Sequence, residues 1–224
     1  MSKEGKGHCG RMAAALLAMG SLTLSPPSTL AGEHDRHEMH QGHVVIDHGG
    51  MDHSKHQMPA GVSARTVATY AIPDVTMTGT NGEKVALRPE LERGGAVMVN
   101  FIYTSCTTVC PVLSGTFSQV QDQLGPDRSK VSMLSISIDP EYDTPARLGT
   151  YARKFGAGPQ WQFLTGSIAD AVAVQRAFDT YRGNKMNHTP VTLMRAKPDA
   201  PWVRIEGFAS AEDIIREYRR ISTE

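Results

Sequence analysis

An α/β domain is the fold class this sequence predicts, and three observations predict it. Ala96 to Ile102 and Val131 to Ile138 are short, continuous apolar runs, the pattern of strands buried on both faces. A segment with apolar residues at helical spacing follows each run. Gly and Pro stand at the boundaries between segments, where they stop helices and form turns. Strands that alternate with helices in this way build a sheet with helices packed on it.

The pattern becomes globular from about Val67. Tyr70 to Met77 and Lys84 to Leu87 flank Gly79-Thr80-Asn81-Gly82, and Asn-Gly between two extended runs predicts a hairpin. After the strand Ala96 to Ile102, a helix from Val109 to Leu124 offers Val112 or Leu113, Phe117, Val120 and Leu124 to the core, and Gly125-Pro126 stops it. Asp139-Pro140 closes the strand Val131 to Ile138. Thr144-Pro145 then supplies a cap and a proline at the first helical position, ahead of Leu148, Tyr151, Ala152 and Phe155. Gly156 and Gly158-Pro159 end that helix. Trp161 to Leu164 reads as a short strand, and Ser167 with Asp170 opens a helix through Phe178. Val191 to Met194 and Trp202 to Glu206 form a strand pair around Pro198-Asp199. Ser210 and Asp213 cap a last helix whose Ile214, Ile215, Tyr218 and Ile221 face inward. This order resembles a thioredoxin fold with an N-terminal β-hairpin extension.

Two segments precede the domain. Lys3, Lys6 and Arg11, the apolar stretch Met12 to Leu24 and the small-residue pattern Thr29-Leu30-Ala31 read as an export signal over residues 1–31, with the mature chain beginning near Gly32. The apolar stretch is shorter than the roughly 20 residues that cross a bilayer, so the processed chain is expected to be soluble, periplasmic or otherwise exported, with no integral membrane span. Residues 32–64 form an arm that carries His34, His37, His40, His43, His48, His53 and His56 among Met39, Met51 and Met58. With no sustained apolar periodicity it is expected to be disordered. A solvated linker is one reading; the mixture of imidazole and thioether points to a metal-collecting arm, toward copper, with zinc or nickel open. Lys plus Arg and Asp plus Glu balance at 23 each without a basic stripe, which removes the electrostatic footprint of a nucleic-acid binder.

The chemistry concentrates where the first buried strand gives way to its helix, in Asn100-Phe101-Ile102-Tyr103-Thr104-Ser105-Cys106-Thr107-Thr108-Val109-Cys110-Pro111. Cysteines four apart on an opening helix turn share a face, so both sulfurs reach one ion or each other. A helix N-terminus favours the thiolate, the form that binds metal and attacks disulfides. Cysteine also packs as a small buried hydrophobe, but the position, spacing and oxidising compartment argue for reactivity here. Cys9 falls inside the signal, so the processed protein keeps only this pair.

Three segments carry a specific resemblance. Phe101 to Pro111 resembles the strand and Cys-x-x-x-Cys-Pro segment of the SCO/SenC family of copper-binding, thioredoxin-like assembly proteins. Ser137-Ile138-Asp139-Pro140-Glu141-Tyr142-Asp143-Thr144-Pro145 resembles its Asp-Pro…Asp-Thr-Pro turn, and Asn187-His188-Thr189 the segment that brings in a distal histidine. The similarity runs from about Tyr70 to the C-terminus and omits the arm. It implies that Cys106, Cys110 and His188 form the metal site. Two thiolates and one imidazole suit monovalent copper and take divalent copper with added ligands, whereas a closed structural zinc site wants a fourth Cys or His that the domain lacks. His188 taken alone also reads as a satisfied loop histidine. Asp139 is expected to be the hydrogen-bond partner of His188 or a cysteine, or else an ordinary turn aspartate before proline. Met186 offers a thioether near the site or simply packs. Thr189-Pro190-Val191-Thr192 looks like the thioredoxin segment whose cis-proline faces the cysteines.

The resemblance implies an exported copper chaperone that delivers copper to the dinuclear copper site of a respiratory cytochrome oxidase. Its partners would then be copper, the oxidase's copper-site subunit or other copper chaperones. The alternative is a periplasmic thiol-disulfide reductase that keeps target cysteines reduced, with Cys106 and Cys110 as its redox pair. A peroxidase of the peroxiredoxin type would need threonine three residues before the reactive cysteine, where this chain has Tyr103. A plain metal buffer would leave the cysteine and histidine constellation unused.

Overall fold

The structure, a computed structural model, describes residues 64–223. The expected signal and the His/Met arm up to residue 63 lie outside the described residues. The domain is the mixed α/β architecture expected. Its strands are β1 (Ala64–Ala68), β2 (Thr76–Thr78), β3 (Lys84–Ala86), β4 (Ala96–Ile102), β5 (Val131–Ser137), β6 (Trp161–Leu164), β7 (Val191–Arg195) and β8 (Trp202–Glu206). The helices are α1 (Leu87–Leu91), α2 (Val109–Gln123), α3 (Pro145–Lys154), α4 (Ile168–Ala177) and α5 (Ala211–Ser222). Six strands form one sheet in the order β1-β8-β7-β4-β5-β6, with β4, β5 and β6 parallel and β1, β8 and β7 joined antiparallel.

Every residue of β4 is buried, and alternate side chains serve opposite faces. Ala96, Met98 and Ile102 join Phe117 and Val120 of α2, Leu148 of α3 and Ile214, Ile215 and Tyr218 of α5. Val97, Val99 and Phe101 join Leu87 and Leu91 of α1, and Val174 and Phe178 at α4. A central strand covered on both faces reads as an unbroken apolar run because no face of it meets water. Gly95, at φ 77°, ends the turn before β4; a Cβ there would meet the Lys130 carbonyl oxygen at 2.7 Å.

Local signals place the helix ends. The Thr144 and Ser167 side chains accept from the amides of Arg147 and Asp170, and Ser210 with Asp213 forms a complete capping box. Gly125 at φ 53° lies just past α2, where a left-handed residue ends a helix. Across the α2–α3 contact, the hydroxyls of Ser114 and Tyr151 pair at 3.0 Å and Ser118 donates to the Phe155 carbonyl at 2.9 Å.

Three expectations need correction. The hairpin exists, but β2 covers only Thr76–Thr78, because Tyr70–Val75 runs without strand pairing and Pro73 has no amide to give a ladder. Ala64, assigned to the arm by composition, is the first residue of β1, which pairs with β8 at the sheet edge. That strand is nearly all exposed and joins through backbone bonds, so it leaves no apolar pattern to read. The Thr189–Pro190 bond is trans, since no described peptide bond is cis. Trans is the lower-energy isomer, and the Pro190 carbonyl accepts from Gly207 N–H at 3.0 Å beside the β7–β8 ladder.

Candidate metal-binding site

The two cysteines leave the C-terminal end of β4 in a tight turn, and both are free thiols. Helix α2 begins only at Val109, so Cys106 precedes it rather than sharing its first turn. The consequence is a sulfur cap. Thr108 makes no side-chain cap bond, and Cys106 Sγ instead accepts the Cys110 amide at 3.3 Å. Pro111 in the first turn has no amide to leave unpaired. Cys110 Sγ accepts the Tyr103 amide at 3.4 Å, so backbone bonds fix both sulfurs.

The two thiols differ in acidity. Burial raises the Cys106 thiol, but the Cys110 and Thr108 amides, the Cys110 thiol and the Tyr103 hydroxyl donate to its thiolate and bring its pKa down to about 7. Cys110 is fully buried, and that burial, with the neighbouring Cys106 and Asp143 adding to it, drives its thiol well above the ordinary range. Tyr103 is pushed up to about 12, first by burial and then by its hydrogen bond to Cys106.

Asp143 anchors this half of the site. Its carboxylate is fully buried and accepts the Thr104 amide at 3.1 and 3.2 Å, the Thr104 hydroxyl at 2.5 Å and the Ser137 hydroxyl at 2.6 Å. The turn after β5 is thereby tied to the residue two positions before Cys106. A buried carboxylate without such donors would be strongly disfavoured. Sequence reasoning named this aspartate within its turn motif but looked to Asp139 for the site. The available signal was the Thr-Pro after it, which makes position 143 the last residue before a helix cap.

His188 follows a single 3₁₀ turn, Lys185–Asn187, whose N-cap Asn184 accepts the Met186 amide at 2.9 Å. His188 Nε2 lies 2.9 Å from the Phe101 carbonyl oxygen. A carbonyl carries no proton, so Nε2 is the donor and the lone pair resides on Nδ1, the arrangement that prepares an imidazole to bind metal. Burial lowers the His188 pKa against the small opposing effect of that hydrogen bond, which keeps the ring neutral near pH 7. Asp139 accepts Lys185 Nζ at 2.5 Å, and it lines with His188 a cavity of about 350 Å³.

The structure therefore brings Cys106 and Cys110 together and sets His188 against the strand that leads to them. Among the described residues no three His, Cys, Asp or Glu side chains stand close enough to close around one ion. Tyr103 is the shared neighbour of both halves, bonded to the cysteines on one side and edge-on to the His188 ring at 6.5 Å on the other. Sequence reasoning had used Tyr103 only to set aside a peroxidase. Its signal was position: the last buried residue before the cysteine turn.

Residues 65–222 match the SCO1/SenC family model. The chain belongs to the SCO1/SenC family. A SCO1 protein homolog of Bacillus subtilis is 30% identical over 107 residues, covering 47% of this chain and 54% of that protein, so the match spans about half of the relative's length. The structure of Bradyrhizobium japonicum ScoI with copper bound is 27% identical with a TM-score of 0.56, covering 67% of this chain and 99% of that one. A SCO1/SenC family lipoprotein from Bacillus anthracis shares the fold at a TM-score of 0.61 and 22% identity, over 70% of this chain and 98% of that one. These likenesses and the family match give the described domain a thioredoxin-like Sco fold. No described helix is long and apolar enough to cross a membrane.

Proposed function

We propose that this protein is an exported copper chaperone that holds copper on Cys106, Cys110 and His188 and delivers it to the dinuclear copper site of a respiratory cytochrome oxidase. The observation that carries the reading is the cysteine turn itself: two free thiols bound to the same backbone turn, one acidified toward thiolate, beside a histidine whose Nε2 is already committed to a carbonyl. Two soft sulfurs and one imidazole are a donor set for monovalent copper, and three protein ligands leave a position for exchange with a partner. The copper-bound Bradyrhizobium japonicum relative supports the choice of metal. Closing the set requires His188 and the thiols to approach each other, with Tyr103 moving from their common boundary. Residues 1–31 serve as the export signal, and the His/Met arm that follows gathers metal for the site.

Anaerobic competition with a chelator tests the site on the reduced full chain. Cys106→Ser and Cys110→Ser should each lower affinity at the tightest Cu(I) site by orders of magnitude, and His188→Ala by at least about tenfold. His188→Ala should retain most exchange with a small disulfide, since that chemistry needs an attacking thiolate, a resolving thiol and access. Variants that keep wild-type copper affinity would overturn the assignment. Normal oxidase assembly at limiting copper in cells carrying His188→Ala would put thiol-disulfide reduction first.

A further inference from the structure

Five methionines lie in the described domain, and one of them departs from the rest. Met77, Met98, Met133 and Met194 are at most 1% exposed, whereas Met186 is 73% exposed. A single exposed apolar side chain is ordinary on a protein surface, so exposure alone says little. The position of its sulfur says more. Met186 Sδ accepts from the Tyr103 hydroxyl at 3.7 Å, and the same hydroxyl lies close enough to Cys106 for the two to shift each other's acidity. One phenol therefore stands between a solvent-facing thioether and the less buried thiol of the pair. The turn that leads into Met186 is held twice: Asn184 caps the Met186 amide, and Lys185 Nζ pairs with Asp139 at 2.5 Å.

We propose that Met186 is an additional, transient copper ligand, a docking thioether that receives Cu(I) at the surface and hands it to Cys106. This rests on the reading that the protein carries copper. Thioether is a soft donor that favours monovalent copper and exchanges readily because it is neutral. The geometry sets the sequence of bonds. An incoming carrier releases Cu(I) as the Met186 sulfur–copper bond forms; Cys106 then binds as thiolate, any proton on its sulfur passing to water, while the Tyr103 hydroxyl gives up its place between the two sulfurs. The Met186 bond breaks when Cys110 and His188 bind in turn, with the Cys110 proton also leaving to water. Copper stays monovalent throughout, so no electron donor or acceptor is needed. Release to a partner runs the same exchanges backwards. The fully buried Cys110 is poorly placed for the first contact and Cys106 is only 7% exposed, so Met186 is the most accessible of the three sulfurs.

Met186→Leu tests this, since leucine keeps the apolar bulk and removes the sulfur. In the reduced full chain the variant should hold Cu(I) at the tight site within about twofold of wild type, while transfer to and from a Cu(I) chelator slows about tenfold. With methionine methyls labelled with carbon-13, the resonance absent from Met186→Leu identifies Met186; it should move on addition of Cu(I) below one equivalent. Unchanged transfer rates together with an unmoved Met186 methyl would overturn the proposal. Failure of the wild type itself to bind Cu(I), or wild-type affinity in Cys106→Ser, would instead overturn the underlying copper reading, so the two failures are separable.

Discussion

The cysteine turn and the histidine segment approach the same place by different means. Cys106 and Cys110 are buried, held by backbone amides and tied through Thr104 to the buried Asp143. The histidine segment instead runs through the exposed residues Arg182 to Asn187 and is held by a few side-chain contacts: the Asn184 cap, the Lys185–Asp139 pair and the His188 bond to Phe101. Buried backbone bonds define a geometry tightly, because any displacement leaves a polar group unpaired in a medium that cannot hydrate it. Side-chain contacts that are only part-buried, on an exposed stretch of chain, hold it less tightly. The arrangement thus has one preset half and one adjustable half, which suits the proposed carrier, since a carrier must both hold and release its cargo.

Breaking the preset half should have the largest effect. Asp143→Ala leaves the Thr104 amide and hydroxyl and the Ser137 hydroxyl without their acceptor, and should lower stability by about 3 kcal/mol. Urea unfolding measures this, and amide hydrogen exchange should quicken at Thr104 and Cys110. A loss smaller than about 0.5 kcal/mol, within the range of ordinary surface substitutions, would mean that Asp143 does not hold the turn.

A smaller effect is expected at the boundary between the halves. The Cys106 pKa is lowered to about 7, so its thiolate predominates above pH 7 and alkylation should rise through a midpoint there, while Cys110 stays protonated and slow. Tyr103→Phe removes one donor to that thiolate. The midpoint should then move upward, and alkylation of Cys106 at pH 7 should slow about two- to threefold. A downward movement would mean that the hydroxyl does not donate to Cys106. The smallest effect belongs to the adjustable half. Lys185→Ala removes an ion pair whose lysine is 39% exposed but whose Asp139 is 10% exposed, and should lower the urea midpoint less than Asp143→Ala does and leave the Cys106 alkylation profile unchanged while amide exchange quickens over Met186 to His188. A fall as large as that of Asp143→Ala would show that the histidine segment is as firmly built in as the cysteine turn.

What the sequence determined by itself is the part of the protein governed by near neighbours. The strands β4, β6 and β8 lie where their apolar runs place them, and the caps at Thr144, Ser167 and Ser210 form as their residue types require. The cysteine pair was legible because spacing and a strand-to-helix junction are properties of a short stretch of chain. Tertiary structure decided what depends on residues far apart. It brought β1 to the edge of β8 through backbone pairing and the Arg65–Glu217 ion pair, and it left Tyr70–Val75 without strand pairing despite its extended pattern. Of two aspartates in one turn, it sent Asp143 to the cysteine turn, 39 residues away at Thr104, and Asp139 to Lys185, 46 residues away. Both carboxylates satisfy the same local turn grammar. Which one is buried against the cysteine turn follows from how β4 and β5 lie side by side, and that register exists only once the sheet has formed.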